Sequence, residues 1–251
     1  MQHEQAVRYA RTMALPEIGE AGQKVLSRAR VMVVGAGGLG SSSLLYLTAA
    51  GVGTIGIVDH DRVALSNLQR QVIHETGDIG RFKTASAAEA LHDLNPEIRI
   101  VPHNVRLDEG TIGGIMKEYD LVVDGCDNFE TRFLVSRYCL EQEKTLVSAA
   151  VIGFSGQLYT FKPYLGVPHP CYQCLYPDLP PSDAVPRCSE SGVLGSIAGL
   201  MGAWQATEAI KELLEIGDSL SGYMLMLDGL SAIVRKMRIN RDPACRCCGP
   251  K

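Results

Sequence analysis

Residues 28–40 read RARVMVVGAGGLG, an apolar run rich in β-branched residues that stops at a cluster of glycines. Residues 41–50 then have the pattern of a helix closed by Gly51, a residue type favoured just past a helix end. A strand, a Gly35-x-Gly37-x-x-Gly40 turn and a helix together bring a phosphate group close to backbone N–H groups at a helix N-terminus. The stretch predicts a nucleotide-binding βα unit, but the glycines alone do not distinguish NAD, FAD and ATP.

Downstream of this unit, short apolar runs alternate with helical patterns. Such alternation is typical of right-handed βαβ units with a parallel sheet. Strands are predicted at 54–58, 98–101, 121–123 and 145–150, and helices at 81–94, 112–117 and 129–141. After residue 150 the pattern changes: we expect an alternating strand at 156–162, a long proline-rich loop at 163–186, a helix at 193–214 and a hairpin of strands at 223–227 and 233–239.

We therefore expect a single α/β domain with a Rossmann-like, mostly parallel sheet, helices on both faces and late antiparallel strands. Its parts are an N-terminal helical arm at 1–27, a nucleotide-binding half at 28–150 and a second half at 151–251. Gly195, Gly199 and Gly202 in the late helix predict close packing in the core or at a dimer interface. Cys126 and Cys139, at a strand end and on a helix face, are interpreted as packing residues.

The composition excludes several classes of protein. The net charge is −4 and the sequence pI about 5.9, so no basic footprint suggests nucleic acid or an anionic membrane as a partner. The longest stretch without charge, residues 191–207, is shorter than the roughly 20 apolar residues that span a bilayer. Residues 1–23 carry charges throughout, unlike a secretory signal. A soluble, cytoplasmic protein is expected.

Charged residues after the glycine turn favour a nucleoside triphosphate. Asp59 follows the second strand, where a carboxylate can accept hydrogen bonds from ribose hydroxyls. A triphosphate carries negative charge beyond the glycine loop, which gives Arg70 and Lys83 a clear role. Asp127 follows a later parallel strand, in a position where it could hold Mg²⁺ on those phosphates.

Four of the eight cysteines form two pairs with the spacing of zinc ligands, Cys171-x-x-Cys174 and Cys245-x-x-Cys248. Four thiolates complete a closed tetrahedral site, and such a site would hold the C-terminal segment against the proline-rich loop. A thioredoxin-like redox pair is the alternative. Cys247 adjoins the second pair and could replace Cys248 as a ligand.

On these residues the sequence strongly resembles the MoeB/ThiF/HesA family, which is related to the ubiquitin-activating enzymes. The resemblance extends over about residues 8–249, and Ser66-Asn-Leu-Gln-Arg-Gln71 is its most specific motif. The other resembling stretches are Arg8-Tyr-Ala-Arg11, Val33-Val-Gly-Ala-Gly-Gly-Leu-Gly40, Asp59-x-Asp61, Gly80-x-x-Lys83, Asp124-x-x-Asp127-Asn128 and the two cysteine pairs. The family adenylates the C-terminal glycine of a small ubiquitin-like sulfur carrier ending in Gly-Gly, uses ATP and Mg²⁺, and works as a homodimer.

The resemblance implies a role for each matching residue. Gly38 and Asp59 would contact the nucleotide, with Asp59 on the ribose, and Asn67, Arg70 and Lys83 would contact the phosphates. Asp127 would hold the metal ion, and Arg11 would reach across the dimer into the neighbouring site. Asp61 and Asn128 belong to the same expected nucleotide site, and zinc is favoured for the cysteines.

The expected reaction needs no general base, because a terminal carboxylate is already ionised near pH 7. We therefore expect His60 and His74 to be surface residues. Cys188 has two interpretations of equal weight: a nucleophile that forms a thioester or acyl-persulfide, with its pKa lowered by the neighbouring Arg187, or an unreactive loop cysteine.

The carrier is expected to serve molybdenum-cofactor or thiamine synthesis. Residues 154–158 and 171–178 are slightly closer to the thiazole branch of the family. No rhodanese-like extension follows Lys251, so a separate donor, a cysteine desulfurase or a rhodanese, is expected to supply sulfur. Two other functions remain open: an NAD(P)-dependent oxidoreductase with the same glycine loop, and a non-catalytic zinc-stabilised module that binds the carrier.

Overall fold

The computed structural model describes residues 3–180 and 192–249. Its strands form one eight-stranded sheet in the order β3-β2-β1-β4-β5-β6-β7-β8. The strands are β1 (Arg30–Val34), β2 (Thr54–Val58), β3 (Arg99–His103), β4 (Leu121–Asp124), β5 (Thr145–Ile152), β6 (Ser155–Phe161), β7 (Tyr223–Asp228) and β8 (Ile233–Arg238). The helices of the described residues are α1 (His3–Arg8), α2 (Ala10–Met13), α3 (Gly19–Leu26), α4 (Gly38–Ala49), α5 (Lys83–Leu94), α6 (Ile112–Met116), α7 (Phe129–Glu141), α8 (Tyr172–Leu175) and α9 (Gly195–Leu214). Short 3-10 helices occupy Leu65–Asn67, Thr76–Asp78 and Pro163–Leu165.

The first five strands are parallel and the later ones antiparallel. β1 pairs in parallel with β2 and β4, and β3 and β5 extend this parallel sheet on its two sides. From β5 onward each strand pairs antiparallel with the next, and β7 and β8 form the predicted hairpin. The prediction of a mostly parallel sheet with late antiparallel strands is confirmed.

Alternate residues of the central strand pack on opposite faces of the sheet, as the pleat requires. Val31 and Val33 belong to a core cluster with side chains of α4, α5 and α9. Met32 and Val34 belong to a second cluster with side chains of α6, α7 and α8. The helices therefore cover both faces, as predicted. Cys126 and Cys139 are buried in the second cluster, which confirms them as packing residues.

Helix α9 packs closely against α4 because a glycine lies at their contact. A Cβ atom on Gly202 would be 2.2 Å from the Leu39 carbonyl oxygen, far inside van der Waals contact. A Cβ atom on Gly199, one turn earlier, would have Ser42 Oγ as its nearest neighbour at 3.5 Å. The small residues of α9 thus serve packing in the core, one of the two roles predicted for them.

We predict opposite effects from two alanine substitutions in this helix. Gly202→Ala should destabilise the protein by about 3 kcal/mol, because the Leu39 backbone must move to admit the methyl group. Gly199→Ala should stabilise it by about 0.5–1 kcal/mol, because alanine loses less conformational entropy in a helix and the space is free. Urea unfolding of both variants measures the difference. Equal effects from the two changes would show that the α4–α9 contact is not tight.

The proline-rich region differs in part from its prediction. Instead of a continuous loop, residues 163–180 contain the 3-10 helix Pro163–Leu165 and the single turn α8. The turn forms because Cys174 N–H donates to the Cys171 carbonyl at 3.1 Å, within the first cysteine pair. Residues 181–186, the end of the predicted loop, lie outside the described residues. Over the described ranges, none of the helices is long and apolar enough to cross a membrane.

Candidate active site and metal centre

A cavity of about 480 Å³ opens at the carboxyl ends of β1, β2 and β4. The chain proceeds from β1 to β2 and β3 on one side of the sheet and then to β4 on the other, so this is the switch point where α/β proteins bind ligands. Nine of the predicted site residues line this cavity: Gly35, Gly37, Gly38, Asp59, Asp61, Arg70, Lys83, Asp127 and Asn128.

The glycine-rich loop needs its glycines for two separate reasons. Gly35 has a φ of 91°, a conformation that side-chain-bearing residues rarely adopt. A Cβ atom on Gly40 would lie 1.9 Å from the Gly35 carbonyl oxygen, so only glycine allows α4 to begin so close to the loop. Gly37 precedes the first residue of α4, and both Gly37 and Gly38 line the cavity. The positive end of the α4 dipole therefore faces the cavity, as an anion site requires.

The Asp59 carboxylate connects the glycine-rich loop to the turn after β2. Its Oδ2 accepts a hydrogen bond from Ala36 N–H at 2.8 Å, and its Oδ1 accepts one from Asp61 N–H at 2.8 Å. Each carboxylate oxygen can accept a further hydrogen bond. Asp59 is thus rigidly held and can still bind a hydroxyl group in the cavity.

Two predicted cations, Lys83 and Arg70, line the cavity, and they differ in burial and in hydrogen-bond partner. Lys83 is buried, and its Nζ lies 2.9 Å from Asp61 Oδ2. Burial acts to raise the pKa of Asp61, but the hydrogen bond and charge of Lys83 outweigh it and hold the pKa below its usual value. Arg70 is half-buried and donates from Nη1 to the Ser66 carbonyl at 3.0 Å. The site therefore offers fixed positive charge to an anionic ligand.

Asp127 and Asn128 lie at the start of α7. Asn128 caps this helix, accepting a hydrogen bond from Thr131 N–H at 2.9 Å. Asp127 is exposed at the cavity, and among the described residues its carboxylate has no hydrogen-bond or ion-pair partner. A carboxylate without an internal partner is free to bind a cation.

Three described residues of the predicted nucleotide and catalytic site do not line this cavity, namely Gly40, whose role is in the loop itself, Asn67 and Arg11. Asn67 uses its Oδ1 to accept a hydrogen bond from Ala64 N–H at 3.0 Å, which closes the local turn. Arg11 lies exposed on α2, where nothing in the described part of the same chain brings it to the cavity. The predicted contact of Asn67 with phosphate and the predicted reach of Arg11 across a dimer stay predictions.

The histidine prediction was half wrong. His60 is exposed, as expected, whereas His74 is buried, with only 5% of its surface accessible. Its Nδ1 lies 2.7 Å from Ser86 Oγ and its Nε2 3.0 Å from the Ala36 carbonyl oxygen. The sequence could not show this, because these partners are 12 and 38 positions away. Burial lowers the pKa of His74.

Arg132 lines the cavity as well, although the sequence patterns did not predict it. It is buried and donates from Nη1 to Ser148 Oγ at 3.1 Å, with the Asp124 carboxylate 3.5 Å away. Burial acts to lower the pKa of Arg132, but Asp124 outweighs it and raises the pKa above its usual value. In the sequence, Arg132 lies one turn into the helix that follows Asp127 and Asn128, which could have pointed to the site. The burial of Arg132, however, depends on β4 and β5, which the sequence pattern does not bring next to it.

A second, more aromatic cavity of about 200 Å³ adjoins the first. Asp127, Arg132 and Val151 line both of them. The aromatic lining comprises Phe129, Tyr159, Tyr172 and Tyr176. Asp127 and Arg132 therefore stand where a molecule entering through one cavity would meet a molecule bound in the other.

Four cysteine sulfurs converge at a place that lines neither of these two cavities. The Sγ atoms of Cys171, Cys174, Cys245 and Cys248 all lie within 4.8 Å of one another. Cys171 Sγ is 3.9 Å from Cys174 and 3.6 Å from Cys245, while Cys174 Sγ is 3.5 Å from Cys248. Sulfurs about 2.3 Å from a tetrahedral zinc ion are separated by about 3.8 Å, so the four sulfurs fit that ion.

The chemistry of the four thiols also suits a cation. A hydrogen bond with the neighbouring Cys171 thiol and burial together raise the pKa of Cys174 to about 12, because both disfavour the thiolate. A divalent cation would remove that penalty. Cys247 is not one of the four converging residues, so the geometry selects Cys248. Cys188 and Arg187 lie outside the described residues.

The C-terminal segment is held beside this cluster by one side chain. The Arg241 guanidinium donates to the carbonyls of Pro163, Gly166 and His169, at 3.1, 3.2 and 2.7 Å. It also donates to the Cys248 carbonyl. Arg241 thus joins the loop after β6 to the second cysteine pair without any metal ion.

Comparison with known proteins agrees with this geometry. A model of the ThiF family matches residues 9–247. The chain is 47% identical over 248 residues to the "Sulfur carrier protein adenylyltransferase" of Thermus thermophilus, which covers 98% of this chain and 92% of that protein. It is 45% identical to the "Probable adenylyltransferase/sulfurtransferase MoeZ" of Mycobacterium tuberculosis, covering 97% of this chain and 62% of MoeZ. The "Adenylyltransferase and sulfurtransferase MOCS3" of Arabidopsis thaliana is 43% identical, and the chain covers 53% of its length.

Solved structures with the same fold are more distant in sequence. The crystal structure of Escherichia coli MccB with ATP superimposes with a TM-score of 0.83 at 22% identity, over 97% of this chain and 75% of MccB. The structure of PaaA gives a TM-score of 0.80 at 17% identity, over 96% of this chain and 76% of PaaA. At these identities the likeness shows a shared fold. The chain spans most of the Thermus protein but about half to three-fifths of the two longer relatives.

Proposed function

Since the chain belongs to the ThiF family, we propose that it adenylates the C-terminal glycine of a ubiquitin-like sulfur carrier, using ATP. In this reaction the terminal carboxylate of the carrier attacks the α-phosphorus of ATP. A bond forms between a carboxylate oxygen and this phosphorus, the α–β phosphoanhydride bond breaks, and pyrophosphate leaves with its electron pair. Both reactants are anions, so the enzyme must mainly neutralise charge and align the attack.

The observation that best supports this proposal is the convergence of phosphate-binding features on one cavity. The glycine-rich loop, the α4 N-terminus, Arg70 and Lys83 all lie along it. A dinucleotide would leave the two cations with less charge to neutralise than a triphosphate does. The name of the Thermus relative, sulfur carrier protein adenylyltransferase, agrees with a nucleoside triphosphate.

We assign the roles as follows. The loop residues Gly35, Gly37 and Gly38 bind phosphate through backbone N–H groups, and Asp59 accepts hydrogen bonds from the ribose. Arg70 and Lys83 neutralise the phosphates during the attack. Asp61 keeps the Lys83 ammonium oriented, and Asn128 fixes the turn that presents Asp127.

Two metal ions belong to the proposal. Asp127, an exposed carboxylate without an internal partner, would hold Mg²⁺, which supplies positive charge to the departing pyrophosphate when it is bound. Cys171, Cys174, Cys245 and Cys248 would hold a structural Zn²⁺. The zinc ion would contribute to folding rather than to the chemistry.

The assembly is also proposed rather than observed. We propose a cytoplasmic homodimer in which Arg11 of one protomer reaches the neighbouring active site. Residues 28–150 would bind the nucleotide and residues 151–251 the carrier and zinc. Cys188 would form the covalent carrier adduct if the reaction proceeds beyond adenylation, with a cysteine desulfurase or a rhodanese as the sulfur donor. The carrier would serve molybdenum-cofactor or thiamine synthesis.

Pyrophosphate exchange tests the proposed activity. We expect labelled pyrophosphate to enter ATP only when the protein is mixed with a carrier that ends in Gly-Gly, because reversal of the reaction needs the carrier adenylate. The same carrier without its last glycine is the control and should support no exchange. Absence of exchange with every diglycine carrier, together with tight binding of NAD, would instead identify a nucleotide-dependent oxidoreductase.

A further inference from the structure

His74 connects the glycine-rich loop to a buried chain of hydrogen bonds. Its Nε2 faces the Ala36 carbonyl oxygen and its Nδ1 faces Ser86 Oγ. Ser86 Oγ in turn donates to Asp78 Oδ2 at 2.7 Å. His74, Asp78 and Ser86 are each less than a tenth exposed, and His74 does not line the cavity. This chain of hydrogen bonds therefore contacts the glycine-rich loop from its buried side.

The Ala36 carbonyl is important because it fixes the direction of the next N–H group. Ala36 C=O and Gly37 N–H belong to one trans peptide plane and point in opposite directions. With the carbonyl directed at His74, the Gly37 N–H is directed away from His74, and Gly37 lines the cavity. Ala36 N–H is meanwhile held by Asp59 at 2.8 Å. Both peptide planes that flank Ala36 are thus fixed by side chains.

The hydrogen bonds of this buried chain determine how many protons His74 must carry. A carbonyl oxygen only accepts, and the Asp78 carboxylate is kept ionised by Arg81 Nη1 at 2.5 Å and Glu75 N–H at 3.0 Å. Burial acts to raise the pKa of Asp78, but these donors and Ser86 outweigh it and lower the pKa. Ser86 has one hydrogen, which goes to Asp78, so both His74 nitrogens must donate. All three contacts are satisfied only when His74 carries two protons.

We infer that His74 is a positioning residue for the glycine-rich loop, and that nucleotide binding there takes up a proton from solvent onto its imidazole. This inference rests on the proposed nucleotide site. The charged groups that face His74 are Asp78 from the 3-10 helix, Asp59 from the turn after β2 and Lys83 from α5. Phosphate bound at the loop adds negative charge on the Ala36 side and so favours the doubly protonated ring.

The sign of the pH dependence follows from the environment of the ring. Burial lowers the pKa of His74 in the free protein, so near pH 7 a neutral ring predominates before the nucleotide binds, and one of its two nitrogens then lacks the hydrogen that its contact needs. Bound phosphate raises the pKa. Proton uptake should therefore be largest between the free and bound pKa values, and it should disappear at low pH, where the ring is already protonated.

Calorimetric titration with MgATP in buffers of different protonation enthalpy tests the inference. We expect the wild type to take up as many as one more proton than His74→Gln. Comparing the two proteins removes the protons that ATP itself binds or releases, because that contribution is the same in both. His74→Gln should weaken ATP binding roughly tenfold, the effect of losing a hydrogen bond from a charged donor. The rate of exchange at saturating ATP should fall much less, because the reacting groups are unchanged.

Two further variants make the experiment decisive. His103→Gln is the matched control, since His103 is a partly buried histidine bonded to the Tyr119 hydroxyl and does not line the cavity. Ser86→Ala keeps His74 but removes the acceptor of its Nδ1. Proton uptake should therefore disappear in this variant, while ATP affinity changes less than threefold. If His74→Gln does not fold, Ser86→Ala decides the question. Equal affinity and equal uptake in all variants would overturn the inference, whereas a wild type that binds no ATP would overturn the proposed function itself.

Discussion

Asp127→Ala should reduce carrier-dependent pyrophosphate exchange at least about 100-fold while leaving the melting temperature and zinc content unchanged. The expected loss is large because the carboxylate is proposed to hold the ion that neutralises the phosphates, and removing one such electrostatic group typically has this effect. The fold should not change, because Asp127 is exposed and has no partner among the described residues. The neighbouring Asn128 would still cap α7.

Asp93→Ala is the matched control for this variant. Asp93 is an exposed carboxylate on α5 that lines neither cavity, so its removal should leave exchange unchanged. Exchange assays, metal analysis and thermal melting should be run on all three proteins. If Asp127→Ala lost zinc or melted early, Asp127 would be a structural residue. If it kept full exchange, the proposed magnesium site would be wrong.

The second large effect is expected at the cysteine cluster. Cys245→Ser should lose its zinc ion and destabilise the protein by about 4 kcal/mol or more. This figure is comparable to that of a covalent link closing a loop of similar length, since the metal joins Cys174 to Cys245 across 71 positions of the chain. Zinc content per chain and the thermal midpoint measure the two effects. A chelator should lower the wild-type midpoint toward that of the variant.

Cys247→Ser is the control, because Cys247 packs against the converging cysteines without being one of the four. It should keep one zinc ion per chain and the wild-type midpoint. Retention of zinc by Cys248→Ser together with its loss from Cys247→Ser would reverse the assignment of the fourth ligand. A wild type that contains no zinc after expression in zinc-supplemented medium would remove the metal site from the proposal.

Local patterns in the sequence predicted most of the sheet. The strand Thr54–Val58 and the helix Phe129–Glu141 have the bounds that the sequence predicted, because period and end signals lie within those segments. The site was predictable where a motif is local, as in the glycine-rich loop and the two cysteine pairs. Asp59 was predictable because parallel strands bring their carboxyl ends to one edge.

Burial that depends on distant segments could not be predicted. The burial of His74 arises from Ala36 and Ser86, which the fold brings to it. Arg132 was missed for the same reason, because Ser148 and Asp124 hold it from two other elements. The choice between Cys247 and Cys248 likewise needed the positions of four sulfurs, which spacing does not provide.

The cysteine cluster limits the order in which parts of the protein can fold during synthesis. The five parallel strands and the first cysteine pair are complete once residue 174 has been made. The second pair arrives only with residues 245–248, after α9 and the β7–β8 hairpin. An emerging chain can thus pair its parallel strands early, as the N-terminal part of a nascent protein commonly does, whereas the core that α9 completes must wait for residues 195–214. Its metal centre can close only near the end of translation.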